Sequence, residues 1–338
     1  MQVLHRKVTR RTVSLVVVAL WAGVAAGAAS AEEWTALAGA QTPDLGNQAL
    51  AFLPNEFWIH AGDSIRWTFN AGEIHTVTFL TPGQTRPPLS SPTGAFVGCP
   101  GVTPDGSNFD NSACVTSGTS TTGQTYSVTF PSAGNFKLVC LVHTRMTGAI
   151  HVLPLSQALP HDQAFYDRQA DIEGAELLSD AAGLKVLGKA ASRQSAKPEV
   201  TAGIQAILAN GGGSQTASVM RFEGATTVVH VGDTVEWTTL ATPAFHTITF
   251  GTEPANLMPP SSGVTLDSDG VRHAEISSPN DSVNSGYIGT PNQETVGQPQ
   301  GPLDFTRFRI TFTAPGTFNY ICGIHQVLGM KGTVIVQP

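Results

Sequence analysis

The chain has 338 residues, 41% of them apolar, which is material for two domains of ordinary size, each with its own core. A single small disulfide-stapled module is thereby excluded. Only 13% of residues are charged and the formal net charge is −7, which removes nucleic acid from the expected partners; 35 Gly, 22 Pro and abundant Ser and Thr suit turn-rich β-structure better than a helical bundle.

The N-terminus carries a basic head (Arg6, Lys7, Arg10, Arg11), an apolar run from Val13 to Ala29, and Ala29-Ser30-Ala31 before Glu32. This reads as a secretory signal, residues 1–31, cleaved after Ala31. Arg10-Arg11 also fits a twin-arginine signal, although Val13 stands where Phe is commoner. A retained anchor is the competing reading; no later stretch reaches membrane-spanning length. The remainder, with 14 basic and 25 acidic residues, is expected in the periplasm or outside the cell, with no stable membrane span after cleavage.

The chain then repeats itself. Trp58 to Thr68 (WIHAGDSIRWT) recurs as Val228 to Thr238 (VVHVGDTVEWT), and each copy continues into a His-Thr-x-Thr-Phe strand, at His75–Phe79 and His246–Phe250. Pro87-Pro88 is echoed by Pro259-Pro260, Val115-Thr116-Ser117-Gly118 by Val283-Asn284-Ser285-Gly286, and Ser127–Phe130 by Arg309–Phe312. Two homologous domains are expected, at 34–154 and 199–338. Within each, short runs rich in Val, Ile, Thr, Phe and Trp alternate with polar residues between Gly-Asp and Pro-Gly turns, the pattern of antiparallel strands in a sandwich or Greek-key barrel. The linker, 155–198, changes to Ala, Glu, Leu, Asp and Lys; Ile172, Leu177, Leu178, Leu184 and Leu187 recur at near-helical spacing. One or two helices, broken near Gly174 or Gly183, are predicted there.

Each copy closes on a short loop holding Cys, His and Met: Cys140, His143 and Met146 in the first, Cys322, His325 and Met330 in the second, with His75 or His246 far upstream. A thiolate and two imidazoles in a trigonal set with a long axial thioether make a blue-copper electron-transfer site. Soft sulfur suits Cu(I) and imidazole also serves Cu(II), so a rigid donor set lets the ion change oxidation state with little rearrangement.

Both copies resemble cupredoxins, the plastocyanin and amicyanin family. The C-x2-H-x4-M spacing of the second copy is similar to plastocyanin and the tighter C-x2-H-x2-M of the first to amicyanin. The resemblance implies an all-β chain of two Greek-key β-sandwich or barrel domains joined by a helical linker, with two type 1 copper ions per chain. The implied ligands are His75, Cys140, His143 and Met146, then His246, Cys322, His325 and Met330. Cupredoxins commonly place Asn after the upstream His, bracing the ligand loop; here Thr76 and Thr247 follow, a departure that a hydroxyl can still bridge and that leaves the potential open.

Cys99 and Cys114 flank a Gly-, Pro- and Asp-rich loop in the first copy only, and in an exported protein they are expected to form a loop-stapling disulfide. A second metal site is the alternative, with no His close in sequence. His60 and His230 read as half-exposed strand residues rather than ligands, and His151, His161 and His273 form no constellation.

Two cupredoxin domains also build copper nitrite reductases, and such domains with added histidines build multicopper oxidases. Those families place His beside the Cys, whereas Val139, Leu141, Ile321 and Gly323 occupy these positions, and no H-x-H pair occurs. A carrier is therefore favoured over an enzyme. Copper buffering or delivery, a third reading, predicts Met-rich or His-rich tails, yet the chain has five Met in all. The solvent edge of His143 or His325 is the expected electron port, with Arg145 beside site one and Val327 and Leu328 forming an apolar docking patch at site two. The partner is expected to be a redox protein, a cytochrome or another copper protein. The insertion 252–304, long, acidic and polar, is a candidate to screen or select it, a role the sequence leaves open.

Overall fold

The computed structural model describes residues 31–86, 99, 101–194, 198–241, 244–289 and 306–338. Residues 1–30 of the leader, Pro87-Pro88 and residues 290–304 of the insertion lie outside the described residues. Among the described residues strands dominate, with one α-helix, Gln163–Gln194, between the two copies.

Each copy opens with a hairpin, Glu33–Gln41 with Asn47–Leu53 and Glu199–Asn210 with Gly213–Glu223. The first hairpin strand runs parallel to Ser64–Phe69 in one copy and to Thr234–Leu240 in the other. Those strands pair antiparallel with Thr125–Thr129 and Arg307–Phe312 respectively. A second sheet of five strands faces the first in each copy, centred on Gly134–Val139 with Thr147–Leu153 and on Gly316–Ile321 with Lys331–Gln337. The alternation of buried and exposed residues along these strands delivers one apolar face to each core. Trp67, Phe79, Phe109, Phe130 and Phe136 fill the first, and Trp237, Phe250, Phe308, Phe312 and Tyr320 the second. The repeated Gly-Asp turn is tied by its carboxylate: His60 N–H donates to Asp63 and His230 N–H to Asp233.

The halves are fused by backbone pairing. Asn47–Leu53 and Gly213–Glu223 are antiparallel neighbours, with Leu50, Ala49, Gln48 and Asn47 opposite Thr216, Ala217, Ser218 and Val219. Residues just past the two hairpin bulges pair Ala40 with Ala49 and Ile204 with Val219. Ala49 is therefore the equivalent of Val219, and Gln48 of Ser218. The seam register pairs Gln48 with Ser218, equivalent with equivalent, so a pseudo-twofold axis passes there and one eleven-stranded sheet runs through both copies.

The helix covers this seam as one piece, not two. Leu177, Ala170 and Ala181 pack with Ala49, Ala51, Leu53, Ile204, Ala217 and Val219. A glycine in a helix costs about 1 kcal/mol, which this packing outweighs; the Cα of Gly174 faces Leu53 closely, a Cβ there lying 3.3 Å from its Cδ1. Ile172 and Leu187, two of the residues at near-helical spacing, are exposed. Glu173 joins the halves, accepting from Asn55 N–H and from Gln215 Nε2, each at 2.9 Å. Among the described residues no helix is long and apolar enough to cross a membrane.

Candidate metal centres

Two isolated bridges, His75 with Ser120 and His246 with Ile288, hold the upstream histidines in extended backbone beside the closing loops. Both rings are fully buried. In the first copy, Cys140 Sγ lies 3.9 Å from Nδ1 of His75 and 3.9 Å from Nδ1 of His143, and the two nitrogens are 3.0 Å apart. In the second, Cys322 Sγ lies 3.8 Å from Nδ1 of His246 and 3.4 Å from Nδ1 of His325, with the nitrogens 3.1 Å apart. With metal–nitrogen bonds of about 2.0–2.1 Å and metal–thiolate bonds of about 2.3 Å, three donors sharing one ion would stand roughly 3.5–3.8 Å apart. The sulfur–nitrogen separations lie near that spacing, while the nitrogen–nitrogen separations of 3.0 and 3.1 Å are shorter than it; the donor chemistry of each set, one thiol and two imidazoles, suits one ion. Met146 and Met330 are fully buried, and their carbonyls close the loops by accepting from Cys140 N–H and Cys322 N–H, both at 3.0 Å.

The threonines supply the bracing. Thr76 Oγ1 accepts from Leu141 N–H and Thr247 Oγ1 from Gly323 N–H, each at 2.8 Å. Their own N–H groups point to the thiol sulfurs, at 3.4 Å in both copies. His143 N–H adds a second donor to Cys140 Sγ at 3.4 Å. Donors aimed at sulfur favour the thiolate.

On the far side of each upstream ring stands a glycine that sequence reasoning overlooked. Gly39 (φ +83°) and Gly203 (φ +70°) occupy the hairpin bulges. A Cβ at Gly203 would lie 2.1 Å from Nε2 of His246, and one at Gly39 2.7 Å from Nε2 of His75. Among the described residues these two buried Nε2 atoms have no hydrogen-bond partner, so Nδ1 is left as the nitrogen turned to the donor cluster. The readable signal was an isolated Gly inside a strand at the same repeat position.

The electron-port expectation is overturned. His143 and His325 are 7% and 4% exposed, and their outer edges face each other across one buried side chain, Glu73. Its Oε2 lies 3.4 Å from Nε2 of His143 and its Oε1 3.4 Å from Nε2 of His325. Glu73 stands two residues before His75; the matching residue of the second copy is Ala244. Burial works to raise the Glu73 carboxyl, but His325 and His143 together hold it down at about 2. Burial works to lower His143, and the Cys140 thiolate and Glu73 overcome it, lifting the ring to about 9. His325 is pulled down by burial despite Glu73. Cys140 is held well below the ordinary thiol range: burial opposes ionisation, and His143 and His75 outweigh it. Burial lowers His75 and His246.

The expected apolar patch is also divided. Val327 is 76% exposed, but Leu328 is 2% exposed and packs into the first copy's core. A Cβ on Gly72 would lie 2.5 Å from its Cδ2. Arg221 donates to the carbonyls of Leu328 and Asp44 and so pins the second loop to the first half. In return, Thr147 Oγ1 accepts from Ser214 N–H at 2.9 Å, seating the first loop on the second hairpin. Each loop leans on the opposite copy because the seam brings hairpin to loop. Arg145 is exposed.

The other described histidines are engaged elsewhere. His60 Nε2 meets Gln157 O; His151 lies between Asn135 and Glu56; His273 lies between Asp267 and Thr311; His161 stacks on Phe165; His230 is exposed beside Asp233. Cys99 and Cys114 are joined by a disulfide, Cα–Cα 4.9 Å.

A family model described as copper binding proteins, plastocyanin/azurin family, matches residues 41–153 and again 209–337. Among solved structures, the chain is similar to oxidised plastocyanin from Dryopteris crassirhizoma, at 21% identity over 41% of this chain and 99% of that one, TM-score 0.21. It is also similar to a Cu(I) amicyanin variant, at 17% identity over 36% of this chain and 82% of that one, TM-score 0.24. No curated protein matches the chain.

Proposed function

Because the chain belongs to the plastocyanin/azurin family of copper-binding proteins, we propose that it is an exported electron carrier holding one type 1 copper in each half. The observation that carries this reading is the duplicated convergence of two buried imidazole Nδ1 atoms and one buried thiol sulfur. His75, Cys140 and His143 would hold one ion and His246, Cys322 and His325 the other, with Met146 and Met330 offering their thioethers as further ligands. Copper so bound supplies a one-electron couple. The protein's part is to hold the donors still: Thr76 and Thr247 fix the loops, backbone N–H groups support the thiolates, and the two cores exclude water. Both rings of each cluster are buried, which favours carriage over catalysis. Export rests on the leader at 1–31 and agrees with a disulfide in the first half. The partners are redox proteins, a cytochrome or a second copper protein.

Copper content with visible and EPR spectra of the mature protein tests this. Two intensely coloured thiolate-bound coppers are expected, and Cys140→Ser and Cys322→Ser should each remove one. Colourless material, or a normal type 2 signal with nitrite- or oxygen-consuming turnover, overturns it.

A further inference from the structure

Among the described residues, Glu73 is the side chain that pairs with a candidate ligand ring from each half. Nδ1 of both rings is turned to the sulfur, so Nε2 is the outer nitrogen, the one that carries the ring proton when a metal occupies Nδ1. A single carboxylate in contact with both outer nitrogens fixes tautomer and ring orientation at two sites at once. Its own placement is built in. Gly72 N–H donates to Gln41 Oε1 at 2.6 Å, and the same oxygen accepts from Gln48 Nε2 at 3.2 Å, which ties the Glu73 turn to the residue at the pseudo-twofold axis. Leu328 closes the opposite side against Gly72.

We propose that Glu73 is a positioning residue shared by the two metal sites and that His143–Glu73–His325 is the path by which an electron passes between them. The inference rests on the copper reading above. The exchange is of one electron: Cu(I) in one half becomes Cu(II) as Cu(II) in the other becomes Cu(I), with no bond made or broken and no proton transferred. The path consists of two imidazole rings and two 3.4 Å contacts on one carboxylate, without an intervening solvent gap. The buried negative charge favours the more positive, oxidised state at both sites, so its removal acts on both.

The test uses the mature chain loaded with copper. If the native protein fails to take up two coppers with thiolate absorption, the copper reading fails and this inference with it. Where it does take up two, Glu73→Gln decides the inference alone. This near-isosteric change should keep both coppers and raise the reduction equilibrium constant at each site about tenfold, which is about 59 mV for a one-electron couple. After a short pulse of a small chemical reductant that places one electron per molecule, equilibration between the sites should slow about tenfold. Glu73→Asp keeps the charge but is too short to reach both rings, and should restore no more than one site. A merely structural Glu73 would lower the unfolding midpoint and leave both potentials in place. Unchanged potentials, a shift at one site only, or an unchanged intersite rate in Glu73→Gln overturns the proposal.

Discussion

Gly203→Ala should empty the second site while sparing the first. The substitution meets two separate costs. Gly203 has φ +70°, a left-handed conformation that costs an L residue about 1–2 kcal/mol. Its Cβ would also lie 2.1, 2.7 and 2.9 Å from Nε2, Cε1 and Cδ2 of His246. The ring is fully buried, so it has no free volume into which to swing, and overpacking of this kind costs about 1–3 kcal/mol. Together the loss is about 2–5 kcal/mol, relieved only if His246 leaves its position facing Cys322. Urea unfolding of the metal-free protein reads the energy, and cobalt(II) titration with thiolate-band counting reads the sites: two in the native chain, one in the variant. Gly62→Ala separates the causes, since Gly62 has φ +99° but a Cβ there meets nothing within 4 Å; it should cost the backbone term alone and keep both sites. Gly39→Ala, the mirror change, should empty the first site. Two tightly bound metals in Gly203→Ala, with stability within about 0.5 kcal/mol of native, would refute the reasoning.

Leu328→Ala opens a cavity where the second loop enters the first core, and should cost about 2–5 kcal/mol in urea unfolding; a loss under about 1 kcal/mol would place Leu328 outside that core. Replacing both Cys99 and Cys114 by Ser frees a loop with a sequence separation of 15 and should cost about 3 kcal/mol on the chain-entropy scale, with metal stoichiometry unchanged. The metal-free protein should lose stability on acidification. Burial depresses His75, His246 and His325 below the ordinary 6.5, so these rings take up protons on unfolding, and stability falls as pH drops through that value. Glu73, held at about 2 rather than 4.5, prolongs the fall across that lower interval. Cys140 and His143 exchange one proton for another between the ordinary histidine and thiol ranges, so they add little slope there. A urea midpoint that is constant or rises on going from about pH 8 to about pH 5 would contradict this linkage.

The strand alternation, the duplicated Cys, His and Met spacing and the Gly-Asp turns were legible because each is a local pattern written twice. The hydroxyl bracing by Thr76 and Thr247 followed from a single departure at a position whose neighbours were already placed. What escaped depends on how the halves meet. Leu328 is one apolar residue on a short loop, and nothing local distinguishes it from Val327 beside it; its burial is decided by Gly72 and Arg221, more than a hundred residues away. Glu73 is likewise unremarkable in the bend between its flanking strands, and only its contrast with Ala244 in the second copy hinted at a role the repeat does not share. The linker helix was expected to break because glycine propensity was weighed without the hairpin surface beneath it.

The pairing of Gln48 with Ser218 makes the two halves meet as the subunits of a symmetric homodimer would. Identical subunits repeat every charge, so the number of acids near a dyad is even. Joining the copies in one polypeptide removes that parity rule. It permits a single acid, Glu73, where a symmetric ancestor would have to tolerate a mutually repelling pair or do without, and it lets two otherwise equivalent metal pockets answer to one counterion.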